Sequence, residues 1–123
     1  MTTRYAFDGV VETTLSQRAT KADVDQFLGE FDRLRVNRPV VWIFDAVNTT
    51  GYTVDCVAAA SRGFLDRRDR LRRIIAVTKS SIIRLAAVSL SVTTSAFGLP
   101  IEVCETLAEA HRRAEALPAT TAK

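Results

Sequence analysis

One short apolar run, PVVWIFDA at residues 39–46, restricts the folds available to this chain more than any other segment. From Val40 to Phe44 the residues are β-branched or aromatic and do not alternate with polar residues. Such a run is typical of a strand that is buried on both faces of a sheet covered by helices. Asp45 and the polar segment Asn48-Thr49-Thr50-Gly51 come next. In open α/β sheets, sites concentrate where a strand's carboxyl end meets the next helix, so we expect any site here.

Strands and helices are predicted in alternation around this central strand. An N-terminal hairpin over residues 4–16 turns at Asp8-Gly9. Thr20 caps a helix that ends near Asn37. Further on, the patterns predict a helix after Gly51, a strand at 74–77, a helix from Ile82 to about Thr94, a strand at 101–104 and a helix at 107–117. The order β-β-α-β-α-β-α-β-α predicts an α/β fold. Its sheet has four to five mostly parallel strands with an antiparallel hairpin, and about four helices cover it.

For two segments the sequence leaves a question: whether residues 88–97 form a helix or a strand, and which face of the helix after Gly51 points inward. Residues 88–97 have the β-branched composition of a strand, but Gly98 and Pro100 would end a helix, and we expect the helix. In the helix after Gly51, the small residues Ala58, Ala59, Ala60 and Gly63 are expected to permit close approach to the sheet. The inner face of that helix is predicted to contain Val54, Val57, Ala58, Ser61, Phe64 and Leu65.

Size and composition indicate one domain. With 123 residues, of which 47% are hydrophobic, the chain is expected to form a single domain over 1–118 and a frayed tail at 119–123. No apolar run is long enough to span a membrane, and the first 16 residues lack the apolar core of a signal peptide, so we expect a cytoplasmic protein. Cys56 and Cys104 are expected to be buried and reduced, and with a single histidine they do not make a zinc site.

The net charge of +3 comes largely from one basic cluster, Arg67–Arg73. This cluster could meet phosphates or an acidic partner, but we favour a solvated helix end. Aromatic residues are not interleaved with the arginines, so nucleic-acid binding is not expected. His111 is the only histidine and is expected at the surface. Neither a GxSxG motif nor a glycine-rich phosphate loop occurs, and we therefore expect no catalytic residues, no cofactor and no metal.

The loop from Asp45 to Gly51 is the remaining candidate site. Thr49 and Thr50 are expected beside a helix N-terminus, where backbone N–H groups favour an anion such as a phosphate. Gly51 allows positive φ and would let the helix begin under the loop. The simpler alternative is that Asn48 and Thr50 or Thr53 only cap the helix.

The order and spacing of these segments resemble the STAS domain family, which has the anti-anti-sigma-factor fold. They are similar in particular to its SEC14-like bacterial branch of free-standing small proteins. Five segments carry the resemblance, which covers about residues 4–117: the hairpin Tyr5–Ser16, the helix from Thr20, PVVWIFDA, the polar loop with Gly51, and RRIIAVTKSSIIRLAA.

The resemblance implies a role for the polar loop. Family members carry Asp-Ser-Ser/Thr-Gly there, and a partner kinase phosphorylates the serine and so switches binding off. In this chain Asn48 stands in place of the aspartate and Thr49 in place of the phosphorylated serine, with Thr50 beside it. Thr49 and Thr50 are therefore the phospho-acceptor candidates.

The first hypothesis is a non-enzymatic regulatory or scaffolding domain. It would bind a kinase-like or other signalling or scaffold protein through residues 48–65. The predicted contact residues are Asp45, Asn48, Gly51, Tyr52, Asp55 and Arg62. The alternative is a domain that holds a small ligand, a lipid or a nucleotide, between sheet and helices, with residues 82–97 lining the cavity. An enzyme ranks third, and a homodimer through the exposed edge of the hairpin is compatible with each hypothesis.

Overall fold

The computed structural model describes residues 1–116. It contains, in chain order, β1 (Thr2–Phe7), β2 (Val10–Thr14), β3 (Arg18–Ala19), α1 (Lys21–Arg33), β4 (Val40–Asp45), β5 (Gly51–Tyr52), α2 (Val54–Asp66), a 3-10 turn (Arg68–Arg70), β6 (Leu71–Val77), α3 (Ser81–Ser95), β7 (Ile101–Cys104) and α4 (Leu107–Ala116). The predicted α/β order is confirmed. The tail predicted at 119–123 lies outside the described residues.

The main sheet has the strand order β1-β2-β4-β6-β7. β1 and β2 form the predicted antiparallel hairpin, and the other three pairings are parallel. β4 is central, as its apolar run predicts. β3 and β5 form a separate parallel pair of two residues each, which was not predicted because strands this short have no sequence period.

Helices cover both faces of the sheet. Trp42 and Phe44 of β4 lie in one apolar cluster with α1 and α2, whereas Val41 and Ile43 lie in a second cluster with α4. Successive side chains of a strand point to opposite faces, so a strand packed on both faces needs apolar residues at every position. This two-sided packing explains the unbroken run Val40–Phe44.

The larger cluster is built on aromatic side chains. Trp42 stacks on Phe31 with ring centroids 4.3 Å apart and on Phe44 at 4.8 Å. Its indole N–H donates to Oγ1 of Thr13 at 2.9 Å, and Thr13 Oγ1 lies 2.6 Å from Oγ1 of Thr3. The polar atoms buried beside the tryptophan are thus hydrogen-bonded, as burial requires.

Local signals account for the limits of α1. Thr20 caps the helix by accepting a hydrogen bond from the Asp23 N–H, and an Asp23 carboxylate oxygen accepts from the Thr20 N–H in return. Such a capping box satisfies two otherwise free N–H groups. The helix ends at Arg33, before the predicted Asn37, and Arg35 follows with a φ of 53°.

The predicted inner face of α2 was wrong at Val54, which is 92% exposed. Ala58 is also exposed, and the buried positions are Cys56, Ala60, Gly63 and Phe64. Because β5 occupies residues 51–52, the helix begins only at Val54, and its first turn presents Cys56 to the core. Gly63 makes the expected close approach, but to Leu28 of α1 rather than to the sheet.

The ambiguous segment after residue 88 is helical, as preferred. α3 runs from Ser81 to Ser95, and Ser80 caps it by accepting from the Ile83 N–H at 3.4 Å. Gly98 has a φ of +83°, a conformation that ends the helix and is readily available to glycine. Ile83 and Ala87 are buried, but several other apolar residues of this helix face outward.

Candidate functional site

Strand β4 places Asp45 at the carboxyl edge of the sheet, beside Val77 at the end of β6. The Asp45 carboxylate accepts a hydrogen bond from the Val47 N–H at 3.2 Å, a contact typical of a turn. The Asp45 carbonyl accepts from the Leu15 N–H at 2.9 Å, and the Ala46 N–H donates to the Val77 carbonyl at 2.9 Å. The loop therefore starts from a rigid position between two neighbouring strands.

Thr49 is inside the structure. Its side chain is 1% exposed, and its hydroxyl donates to the Ser16 carbonyl at 2.7 Å. Its N–H donates to the Ala46 carbonyl at 3.0 Å. The residue thus joins the loop to the segment that follows β2, and its hydroxyl reaches a kinase only if this loop opens.

Thr50 is exposed, in contrast to its neighbour. Its N–H donates to the Gln17 carbonyl at 2.8 Å. Its hydroxyl lies 3.5 Å from the same carbonyl, which is at the limit of a weak hydrogen bond. Of the two phospho-acceptor candidates, Thr50 is therefore the one that presents its hydroxyl to solvent in the folded chain.

The expected anion site beside a helix N-terminus does not form at these threonines. Gly51 and Tyr52 pair with Arg18 and Ala19 as strands, so α2 begins later, with Thr53 at its N-cap position. Gly51 does not use the positive φ that was expected. The N–H groups of Thr49 and Thr50 bind carbonyls of Ala46 and Gln17 instead, because extended backbone at this place has carbonyl partners available.

The basic cluster lies at the opposite end of the parallel strands from the polar loop. β6 begins at Leu71, within the cluster, and pairs there with Val40, so most of the length of a strand separates the arginines from Asp45. Arg67 donates to both carboxylate oxygens of Asp32, at 2.9 Å and 2.7 Å, and Arg70 donates to Asp32 at 3.3 Å. These hydrogen bonds, first that of Arg67, hold the pKa of Asp32 below its usual range. These two arginines join α1 to the end of α2, and the cluster does not face the polar loop.

The exposed part of the loop and the start of α2 form one continuous stretch of chain. We call the loop–helix surface the set Val47, Asn48, Thr50, Val54, Asp55 and Arg62. Val54 is 92% exposed and Val47 is 46% exposed, and the other four are polar and exposed. The remaining predicted contact residues, Asp45, Gly51 and Tyr52, are half-buried below this surface.

Two spaces lie beside α2. An open groove of about 570 Å³ runs between α2 and α3, and Val54, Ala58 and Arg62 line one wall of it. A smaller apolar cavity of about 100 Å³ lies beneath α2 and α3, against the sheet. Its walls include Phe27, Phe44, Cys56, Ile83 and Leu90, together with Thr49 and Tyr52 from below the loop. Residues 83–90 of α3 line this cavity, so a space exists at the place that the ligand-binding hypothesis requires.

Both cysteines are free and buried, as expected. Burial raises the pKa of the Cys56 thiol and of the Cys104 thiol, which keeps both protonated near neutral pH. His111 lies less exposed than expected: its Nε2 is 2.9 Å from a carboxylate oxygen of Glu12, which is 6% exposed. Sequence reasoning missed this pair because its members are far apart in the chain.

Within residues 1–116, no three His, Cys, Asp or Glu side chains are grouped so that they could hold a metal ion. None of the helices formed by these residues combines the length and hydrophobicity needed to cross a bilayer.

No protein-family model and no curated protein matches this sequence. Among solved structures, the chain is similar to an uncharacterized DUF3478-family protein with a SpoIIAA-like fold from Shewanella loihica PV-4. The TM-score is 0.66 and the identity 12%, over 91% of this chain and 90% of that chain. At this identity the similarity shows the fold alone. The fold is thus SpoIIAA-like, which confirms the STAS-like architecture, whereas membership of the SEC14-like branch stays a prediction.

Proposed function

We propose that this chain, whose fold is SpoIIAA-like, is a non-enzymatic regulatory or scaffolding domain that binds a protein partner through the loop–helix surface. The resemblance to STAS domains implies a role of this kind. The sequence prediction had placed partner binding on the same loop and helix.

The observation that carries the proposal is the exposure of Val54. This valine is 92% exposed at the start of a helix that buries four other residues. Val47 is a second exposed apolar side chain, and Asn48, Thr50, Asp55 and Arg62 of the same loop and helix are polar and exposed. Apolar side chains within a polar rim are typical of protein-binding surfaces. Hydrogen bonds join the loop part of this surface to the residues after β2 and to the end of β6.

Affinity capture with matched variants tests the proposal. The tagged wild-type chain, Val54→Lys and Ala108→Lys are each used to capture proteins from the native host, and the captured proteins are identified by mass spectrometry. Ala108 is exposed on α4, on the other face of the sheet, and serves as the control. We expect one partner to bind the wild type and Ala108→Lys equally and to bind Val54→Lys at least tenfold more weakly. Equal capture by all three chains would contradict the proposed surface.

We also propose that the loop is phosphorylated. Thr50 is the favoured acceptor because its hydroxyl is exposed, whereas that of Thr49 is buried. A phosphate there adds nearly two negative charges to a surface that carries one acidic residue, Asp55, and one basic residue, Arg62. Because the basic cluster lies at the opposite end of the parallel strands, it does not offset this charge. We expect Thr50→Asp to weaken partner binding at least tenfold and Thr50→Val to leave it unchanged. Mass spectrometry of the chain isolated from its host shows which threonine carries phosphate.

Thr49 is expected to act on stability. Thr49→Val removes the donor to the Ser16 carbonyl in a buried place, so we expect a loss of about 1–2 kcal/mol in the free energy of unfolding. Thr50→Val is the matched control and should change that free energy by less than about 0.5 kcal/mol. Urea unfolding of the three chains provides the comparison. Equal stability of Thr49→Val and wild type would contradict the structural role of Thr49.

The apolar cavity favours the ligand-binding alternative only for a small molecule. Its volume of about 100 Å³ is below the roughly 300–1,000 Å³ of usual ligand sites. A lipid or a nucleotide would require α3 to move away from the sheet, and protein binding is therefore the first proposal. Native mass spectrometry of the freshly purified chain would reveal a bound molecule as added mass.

A further inference from the structure

We infer that the chain forms a two-fold symmetric homodimer through the outward side of helix α3. We call the α3 face the set Ile82, Leu85, Val88, Val92 and Phe97, of which Phe97 follows the end of the helix. Each of these side chains is more than half exposed, and Val92 is 74% exposed. On a helix, residues three and four positions apart lie on one side, so Leu85, Val88 and Val92 form a continuous apolar stripe.

The composition of α3 is unlike that of a solvated helix. Among its 15 residues, Arg84 is the only charged one. Helix α1 has 13 residues and carries Lys21, Asp23, Asp25, Glu30, Asp32 and Arg33. A helix that is apolar on its outer side as well as its inner side is normally buried on both. The inner side of α3 packs on the sheet through Ile83 and Ala87, so the apolar outer side is the one available to a partner.

The area of the α3 face is sufficient for a dimer. Its five large side chains expose on the order of 500 Å² of apolar surface, which is at the upper range of patches found on monomers. Two such faces in complete contact would bury at most about 1,000 Å² in total, which is the lower limit for a specific protein–protein interface. The neighbouring groove adds to this area.

The groove beside the stripe lies between α3 and the edge strand β7 and has a volume of about 340 Å³. Val88, Val92, Ile101 and Val103 provide its apolar walls, and Ala87, Ser91 and Ser95 are small residues within it. Small residues allow the backbone of another helix to come near. Each copy therefore carries both a ridge, Leu85 with Val92, and a depression beside it, which is what an isologous interface requires.

Charge favours a second copy of this chain as the partner. In a two-fold interface any charged group near the axis meets its own copy, and the uncharged stripe of Leu85, Val88 and Val92 avoids that repulsion. Arg68 contacts the face only at its end, where its guanidinium carbon lies 5.8 Å from the centroid of the Phe97 ring. If two α3 helices cross antiparallel near Val88, Leu85 packs against the partner's Val92. Arg84 then lies near the partner's Thr93, and the two Arg84 residues are about 13 Å apart along the helix axis, beyond the screening length in physiological salt. A charge within this stripe would be expected if the partner were a charged protein surface.

The test is the mass of the full chain in solution. We expect light scattering and sedimentation equilibrium in the micromolar range to give twice the protomer mass of 13.5 kDa. Leu85→Lys combined with Val92→Lys should weaken the dimer at least tenfold. Lysine favours helix more than valine does, so the variant is expected to keep its helical circular dichroism.

Val54→Lys is the matched control, because it also converts an exposed valine to lysine but lies on α2 outside the α3 face. It is expected to leave the dimer intact while reducing partner capture, so the outcomes for the dimer and for the proposed function are distinguishable. In a second test, Ser89→Cys, near the crossing point, should form a disulfide between two copies, whereas Ser95→Cys should not. A monomer at all these concentrations would overturn the inference. So would an unchanged dimer of the double lysine variant, since dimerization would then use another face such as the β1 edge.

Discussion

Gly63 lies where α2 passes closest to α1. A Cβ atom at this position would lie 2.9 Å from Cδ2 of Leu28, 3.1 Å from its Cγ, and closer still to Cδ1. Leu28 is buried in the aromatic cluster and its whole side chain would have to move. The small size of Gly63 is thus a packing requirement. The sequence prediction of close contact was right, but the predicted neighbour, the sheet, was wrong, because residue size alone does not show which element lies opposite.

Replacing Gly63 by alanine is therefore expected to destabilise the chain by about 1–3 kcal/mol, because overpacking forces the two helices apart. Gly29→Ala is the matched control: the nearest atom to a new Cβ is Nη2 of Arg33 at 4.0 Å. Alanine inside a helix should stabilise that variant by about 0.5–1 kcal/mol. Urea unfolding measures both free energies. Changes of the same sign in the two variants would contradict this account.

At the scale of elements, α1 and the end of α2 are joined by ion pairs. Arg67, only 15% exposed in its side chain, and Arg70 both reach Asp32 on α1. Sequence patterns predicted both helices but not this link, because the spacing of charges along one helix does not show which charges of another helix lie opposite. The orientation of α2, which exposes Val54, was also not predicted. This helix has more apolar residues than its buried face can hold, so the sequence does not show which of them point to the core.

The link between Asp32 and Arg67 predicts a pH dependence of stability. The lowered pKa of Asp32 means that the unfolded chain binds the proton more tightly, so stability is lost as pH falls below about 4. Asp32→Asn should lose about 1 kcal/mol at neutral pH, since the carboxylate is 43% exposed and screened by water. The difference from wild type should shrink toward zero as the pH falls through the lowered pKa of Asp32. Urea unfolding at several pH values measures it.

Asp25→Asn is the control for this prediction, because it removes a carboxylate from the exposed side of the same helix. Asp25 pairs with Lys21 at 3.0 Å, and both side chains are more than half exposed. We expect a change of about 0.3–0.5 kcal/mol at neutral pH. If Asp32→Asn and Asp25→Asn lost the same free energy of unfolding, the ion pairs of Asp32 would not stabilise the fold more than an exposed pair does.

At the scale of the whole molecule, the two cysteines lie on opposite faces of the sheet. The reactivity of each thiol therefore measures the opening of one face. Cys56 belongs to the cluster with α1 and α2, whereas Cys104 belongs to the cluster with α4. Burial raises the pKa of both thiols, so we expect neither to react with iodoacetamide at neutral pH in the native chain. A single domain of this size is expected to unfold as one unit.

When the thiols are labelled with iodoacetamide at increasing urea concentrations, Cys56 and Cys104 should therefore be half labelled at the same urea concentration. Mass spectrometry of the separate peptides measures each one. An earlier midpoint for Cys104 would show that α4 opens on its own and that the chain is not one cooperative unit. Cys56→Ser and Cys104→Ser, each with one remaining thiol, control for reaction between the two sites.

The order of strands and helices could be predicted from the sequence because it depends on local signals. These signals are the apolar run of β4, the turn at Asp8-Gly9, the cap at Thr20 and the helix end at Gly98. The position of a polar loop at the carboxyl end of the central strand followed from that order. Tertiary structure alone decided that Thr49 is buried and Thr50 exposed, since the carbonyls of Ser16 and Gln17 that hold them come from more than thirty residues away. It also decided which side of α3 stays uncovered, because that depends on how much apolar surface the sheet and α2 can cover.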